Sequence, residues 1–99
     1  MVRIKRLGSF TSALDELLLN NSHLEKILDK KVTLFQRNPG DTRLDNHYLT
    51  KKMEGKWSFS ITDDIRLIYK WVNKTTVLFI DIGPHEKVYP RLRKITPKE

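Results

Sequence analysis

The sequence predicts an α+β fold: an N-terminal strand, a two-helix hairpin, then an antiparallel β-meander, with both helices packed on one face of the sheet. Three observations lead there. Between Phe10 and Phe35 apolar side chains recur at helical spacing, with a break at Asn20-Asn21. Trp57-Ser58-Phe59-Ser60-Ile61 alternates strictly between apolar and polar, the signature of a half-buried strand. Two more apolar-rich runs follow it, each preceded by a short turn-forming stretch. At 99 residues the chain is the size of one domain, 1–99, with a modest core.

Each element has its own justification. Arg3 to Leu7 alternates weakly and reads as the first strand. Ser9 is placed to cap a helix carrying Phe10, Leu14, Leu17 and Leu18 on one stripe. Ser22 with Glu25 has the spacing of a capping box and opens a second helix, whose stripe is Leu24, Ile27, Leu28, Leu34 and Phe35. Asn38-Pro39-Gly40-Asp41 stops it. After the strand at 57–61, Thr62-Asp63-Asp64 turns into Arg66–Val72, and Asn73-Lys74 turns into a last strand from Thr76 to Ile82. The segment from Asp41 to Lys56 is polar and long for a connection, and loops of that length are often functional.

Composition narrows the function. Hydrophobic residues at 38 % and charged residues at 31 % suit a folded, water-soluble chain. No apolar run approaches the roughly 18 residues of a membrane span, and the charged start lacks the apolar region of a secretory signal. The absence of cysteine removes disulfides and thiolate metal sites, so a cytoplasmic protein is the simplest expectation. The net charge is +7, and its excess sits at the ends: +3 in residues 1–8 and +3 in residues 84–99. Such a chain attracts polyanions, nucleic acid above all.

No glycine-rich phosphate loop, G-x-S-x-G elbow or H-E-x-x-H motif is present, and no pair among His47, His85, Asp81 and Glu86 has diagnostic metal-ligand spacing. Neither a metal nor a cofactor is expected. What the sequence does offer is a set of cationic and titratable groups at strand ends and in the long loop: His47, Lys51, Lys52, Lys56, Arg66, His85, Lys87 and Tyr89. RNA phosphodiester cleavage needs such a set. A base takes the 2′-hydroxyl proton, an acid protonates the departing 5′-oxygen, and cations stabilise the transition-state phosphate. Histidine suits both proton transfers because its unperturbed pKa, about 6.5, lies near neutrality.

Each residue also has a plainer explanation. His47 fits an ordinary surface loop and His85 an ordinary strand end. Arg66 fits a weak, exposed ion pair with Asp63 or Asp64. Tyr89 fits either a ring packed on the sheet or a base-stacking platform. From the residues alone, nucleic-acid binding is favoured and catalysis is an open alternative.

The segments "HYLTKKMEGKWSFSITDDIRLIY" and "IDIGPHEKVY", with "RNPGDTRLDNH" before them, resemble the RelE/ParE superfamily of bacterial toxins, and within it the YafQ-like mRNA interferases. The resemblance covers nearly the whole chain and implies the same fold as the one read above. It further implies a type II toxin with ribosome-dependent, metal-independent endoribonuclease activity, acting on mRNA in the decoding site. Its partners would be the ribosome, mRNA and a cognate antitoxin in a hetero-oligomeric complex. Carried over by motif, His85 is a general acid or base. His47 is its counterpart or a phosphate ligand, Arg66 holds the scissile phosphate, and Tyr89 positions or stacks the substrate. Lys51, Lys52, Lys56, Asp64 and Lys87 complete the substrate-binding set. Departures from the pattern are Lys51, where relatives often have glycine, Ser60, where YafQ-like relatives have a histidine, and Pro84, where a small hydroxyl residue is common. The superfamily also holds ParE-like gyrase poisons, and a non-catalytic RNA-binding chain is the third alternative.

Overall fold

The computed structural model describes residues 1–49 and 55–89. Lys51, Lys52 and the basic stretch at 91–94 lie outside them. The elements run β1 (Arg3–Arg6), α1 (Gly8–Asn20), α2 (Leu24–Arg37), a short 3-10 turn (Thr42–Leu44), β2 (His47–Tyr48), β3 (Trp57–Ser60), β4 (Ile65–Trp71) and β5 (Thr76–Pro84). Residues 85–89 add one closing helical turn. The sheet order is β1-β5-β4-β3-β2. The three-strand meander is antiparallel as expected, while β1 lies parallel to β5, so the sheet is mixed.

One sheet face carries the main core. Phe10 of α1 and Leu24, Leu28 and Phe35 of α2 pack onto Phe59, Leu67, Tyr69, Val77, Phe79 and Ile82. Phe35 sits at its centre, stacked on Phe59 (centroids 4.7 Å apart, 13° between planes) and edge-on to Tyr69 at 4.9 Å. Offset and edge-to-face pairs of this kind add to the burial of the rings themselves. The stripe expected on α2 is the buried one, with Ile27 and Leu34 half-buried at its margins.

The far face carries a smaller cluster: Leu49, Ile68, Ile80 and Val88, with Tyr89 packed beside it. A β-bulge serves it. Ile68 stands opposite Asp81 and Tyr69 opposite Phe79, which leaves Ile80 as the extra residue on β5. Phe79 and Ile82 therefore both reach the helix side, while Ile80 meets Ile68 and Val88 on the other.

Four local expectations are corrected. Ser9 does not cap α1: the cap position is Leu7, and the Ser9 hydroxyl donates instead to the Ile80 carbonyl at 2.8 Å, tying α1 to β5. Ser22 and Glu25 form no capping box, because His23 occupies the cap position in helical conformation and makes no side-chain cap. The polar loop contains a strand, β2, which joins the sheet through His47 opposite Ser58 and Tyr48 opposite Trp57. Last, β5 runs on through Gly83-Pro84 to the closing helical turn.

Candidate active site

The bulk of the site lies on the far face of the sheet. The loop after α2 delivers His47 from three anchors. Asp41 accepts from the Arg43 backbone N–H at 2.9 Å and pairs with the Arg43 guanidinium, contacts that hold its carboxyl down at about 2. Leu44 is fully buried in the main core. Asn46 donates to the Pro39 carbonyl (2.9 Å) and accepts from the Tyr69 hydroxyl (2.9 Å). Burial raises Tyr69 to about 12, with the Asn46 bond opposing the shift, so this phenol stays a donor under physiological conditions.

His47 follows directly, and its ring is set by the backbone behind it. Asp45 takes a left-handed conformation (φ 50°), a region that aspartate tolerates better than most residues. Its carbonyl lies 3.0 Å from His47 Nδ1. A carbonyl only accepts, so Nδ1 carries the hydrogen, and in the neutral ring Nε2 keeps its lone pair. His47 is exposed and shares the far face with Ser58, its partner across the strands.

Arg66 comes from β4, opposite Ser60 on β3 and Gly83 on β5. Its Nη1 donates to Ser60 Oγ at 2.7 Å and to the Thr62 carbonyl at 3.1 Å. The plainer alternative for Arg66, a pairing with Asp63 or Asp64, is absent: the ion pair found among the described residues is Arg43–Asp41. The turn geometry explains this, since the guanidinium folds back over β3 and reaches the main-chain oxygen of Thr62 before any carboxylate. Its Nε and Nη2 have no partner among the described residues, which leaves one edge of the fork for an anion.

His85 and Tyr89 ride the closing helical turn, where a spacing of four places them on one side. Their rings meet edge to face with centroids 4.2 Å apart. The His85 backbone N–H donates to the Asp64 carbonyl at 3.0 Å, so the main chain of Asp64 fixes the start of the turn. At the other end the Tyr89 hydroxyl donates to Ser58 Oγ at 3.1 Å, and Val88 is buried in the far-face cluster. Two serines of one strand thus hold two site residues: Ser60 holds Arg66 and Ser58 holds Tyr89.

His47, Arg66, His85 and Tyr89 are accordingly brought to one face. Lys56, half-buried just before β3, borders it. Lys87 does not join them. Two residues on from His85, it turns toward an open cleft of about 420 Å³ between α1 and β5, lined also by Ser9, Ser12, Glu16, Asp81 and Pro84. Among the described residues no three of His, Asp and Glu converge as a metal site. Sequence reasoning missed Asn46, Ser58 and Ser60 as supports. The W-S-F-S alternation put both serines on the non-core face, but nothing in it named what they would hold.

A search of curated protein sequences finds no match. Solved structures do match. Escherichia coli YafQ, at 21 % identity, superposes with a TM-score of 0.74 over 90 % of this chain and 99 % of that one. YafQ in the Escherichia coli DinJ–YafQ toxin–antitoxin complex gives 0.73 at 20 % identity over 89 % and 97 %. A chain of the Staphylococcus aureus YoeB–YefM complex gives 0.68 at 17 % identity over 86 % and 98 %. These likenesses establish the fold. The sequence profile of the YafQ family matches residues 2–90, nearly the whole chain. This chain belongs to that family, the YafQ bacterial toxins of type II toxin–antitoxin systems.

Proposed function

We propose that this toxin is an mRNA endoribonuclease that acts on the ribosome in the cytoplasm, without a metal, and is restrained by a cognate antitoxin in a hetero-oligomeric complex. The observation that supports it most is the convergence of His47, Arg66, His85 and Tyr89, from separate stretches of sequence, on one sheet face. His85 transfers a proton at the scissile phosphate. His47, whose Nε2 lone pair stays available, is its counterpart and suits the 2′-hydroxyl. The unpartnered edge of the Arg66 fork binds the phosphate and stabilises its added charge, aided by Lys56 and by Lys51 and Lys52. Tyr89 packs against the His85 ring and orients it against the strand. The whole chain, 1–99, is read as one toxin domain.

Antitoxin binding fits the basic balance of the chain, and the two antitoxin complexes among the structural neighbours support it. Primer-extension mapping of mRNA after brief induction tests the reading, with His85→Ala alongside. Discrete, in-frame cuts that vanish in the variant are expected. Equal cutting by the variant sinks the assignment of His85, and growth arrest without cuts redirects the reading to gyrase.

A further inference from the structure

Beyond the cutting residues, the far face carries a second charged feature. Strand register aligns it. Lys5 of β1 stands opposite Leu78 of β5, and Leu78 stands opposite Lys70 of β4. Trp57 stands opposite Tyr69, so Lys56, one residue earlier, continues the same row on the next strand. Partners across a ladder share a face. The neighbours of these residues in sequence — Ile4, Val77, Tyr69 and Trp57 — all pack toward the helices, so the row points away from them. Arg3, opposite Thr76, lies one row further along the same face.

The row crosses β1, β5, β4 and the start of β3, three strand spacings or about 14 Å. Lys5 and Lys70 are exposed and Lys56 half-exposed. Among the described residues none of the three ammonium groups makes an ion pair or hydrogen bond. Among the described residues of the sheet the one carboxylate is Asp81, and it is buried beside the α1 cleft. Ordinary solvated lysines are scattered among acids, as on α2. Here the register places cations in line, with half-buried Leu78 as an apolar floor between two of them.

We infer that Lys5 and Lys70, continuing the row from Lys56 at the border of the site, form a track for the phosphate backbone of single-stranded RNA that carries the substrate strand away from the cutting residues across the sheet. The inference rests on the endoribonuclease reading for the identity of the strand, and on charge and register for the track. Lysines grip phosphates as point charges, without base readout, so the track adds affinity and register but no sequence preference. Each phosphate neutralised releases counterions from the single strand, which makes log affinity fall with log salt by about 0.7 per contact.

The test measures binding of a fluorescein-labelled 15-nucleotide single-stranded RNA between 50 and 300 mM salt, in the His85→Ala background so that the probe survives. Lys5→Gln with Lys70→Gln is compared with Lys26→Gln plus Lys30→Gln, exposed lysines of α2 that remove the same charge. The expected result is a slope lower by about 1.4 for the first pair and unchanged for the second. Equal changes from both pairs would mean net charge alone is at work and overturn the track. So would an unchanged RNA slope accompanied by weaker binding of the purified antitoxin, which would assign the face to a protein partner. The primer-extension assay separates the two readings. A row-dependent slope in a protein that never cuts mRNA keeps the track and removes the nuclease; normal cutting with no row dependence does the reverse.

Discussion

The two faces of the sheet are built to different standards. The helix side buries four phenylalanines and a tyrosine in mutual ring contact, closed over by two helices. The far side buries four aliphatic residues and half of Tyr89 under a single helical turn. A large, interlocked core holds the sheet as a rigid plate. The small one holds the site residues to that plate through a few named contacts. The main core and the candidate site thus lie on opposite faces, and substitutions on each should report on one and spare the other.

The strongest break in that comparison comes from the site. His85→Ala should lower ribosome-dependent cleavage by about 10²–10⁴-fold, the usual worth of a general acid or base. Because the ring is exposed, the urea midpoint should stay within error of the parent. A large loss of stability in that variant would mean the faces are not separable. On the other side, Phe35→Ala should destabilise the fold by about 3–5 kcal/mol, read by urea denaturation, since it empties the centre of the main core.

Tyr69 tests the boundary between the faces, for its ring is in the main core while its hydroxyl pins Asn46 beside His47. Tyr69→Phe should cost about 1–2 kcal/mol by leaving Asn46 short of a donor. Its pH signature has a definite sign. The folded-state value is raised to about 12 from 10.0, so the stabilisation is complete below pH 10 and is lost as pH climbs toward 12. The phenylalanine variant should lack that alkaline decline in urea midpoints measured at pH 9 and pH 11.

Ser60→Ala sharpens the comparison further, at smaller scale. Releasing Arg66 Nη1 from Ser60 should reduce cleavage about five- to tenfold, the net worth of a typical hydrogen bond, because Nη1 keeps the Thr62 carbonyl; Ser60→Thr should restore most of it. Equal damage from the threonine variant would point to packing in place of positioning. Smallest is Asp41→Asn. The carboxyl is held at about 2 by Arg43, so its contribution is present above about pH 4 and fades as pH falls toward 2; the variant should lose only that acid-side dependence.

How much of this was legible in the sequence depends on periodicity. Trp57–Ser60 announces itself by strict alternation, and Ile65–Trp71 by an apolar-rich run that follows a turn. The two residues of β2 are too few to carry any period, so a strand read as loop. The closing turn was hidden behind Gly83-Pro84, residues that usually mark an end. Ser9 looked like a cap because local spacing said so, yet a carbonyl seventy-one residues away claimed its hydroxyl. The ion-pair alternative for Arg66 had the same local origin. Spacing lists the partners nearby in sequence, and a sheet supplies others. The fold was readable from pattern alone. The gathering of His47, Arg66, His85 and Tyr89 was readable only through family resemblance, because cross-strand register has no trace in local composition.

The extra residue at Ile80 has one more consequence. It takes up one residue without disturbing the pairing downstream: Asp81 still faces Ile68, Ile82 still faces Leu67 in the core, and the chain arrives at Pro84 with His85 ready to meet the Asp64 carbonyl. Deleting that single residue would leave Asp81 opposite Ile68 and Ile82 opposite Leu67, so the strand would keep its facing; what it would lose is the contact with Ile68 and Val88 that holds the closing turn to the sheet. In this toxin a single aliphatic side chain on β5 helps hold down the turn that carries His85.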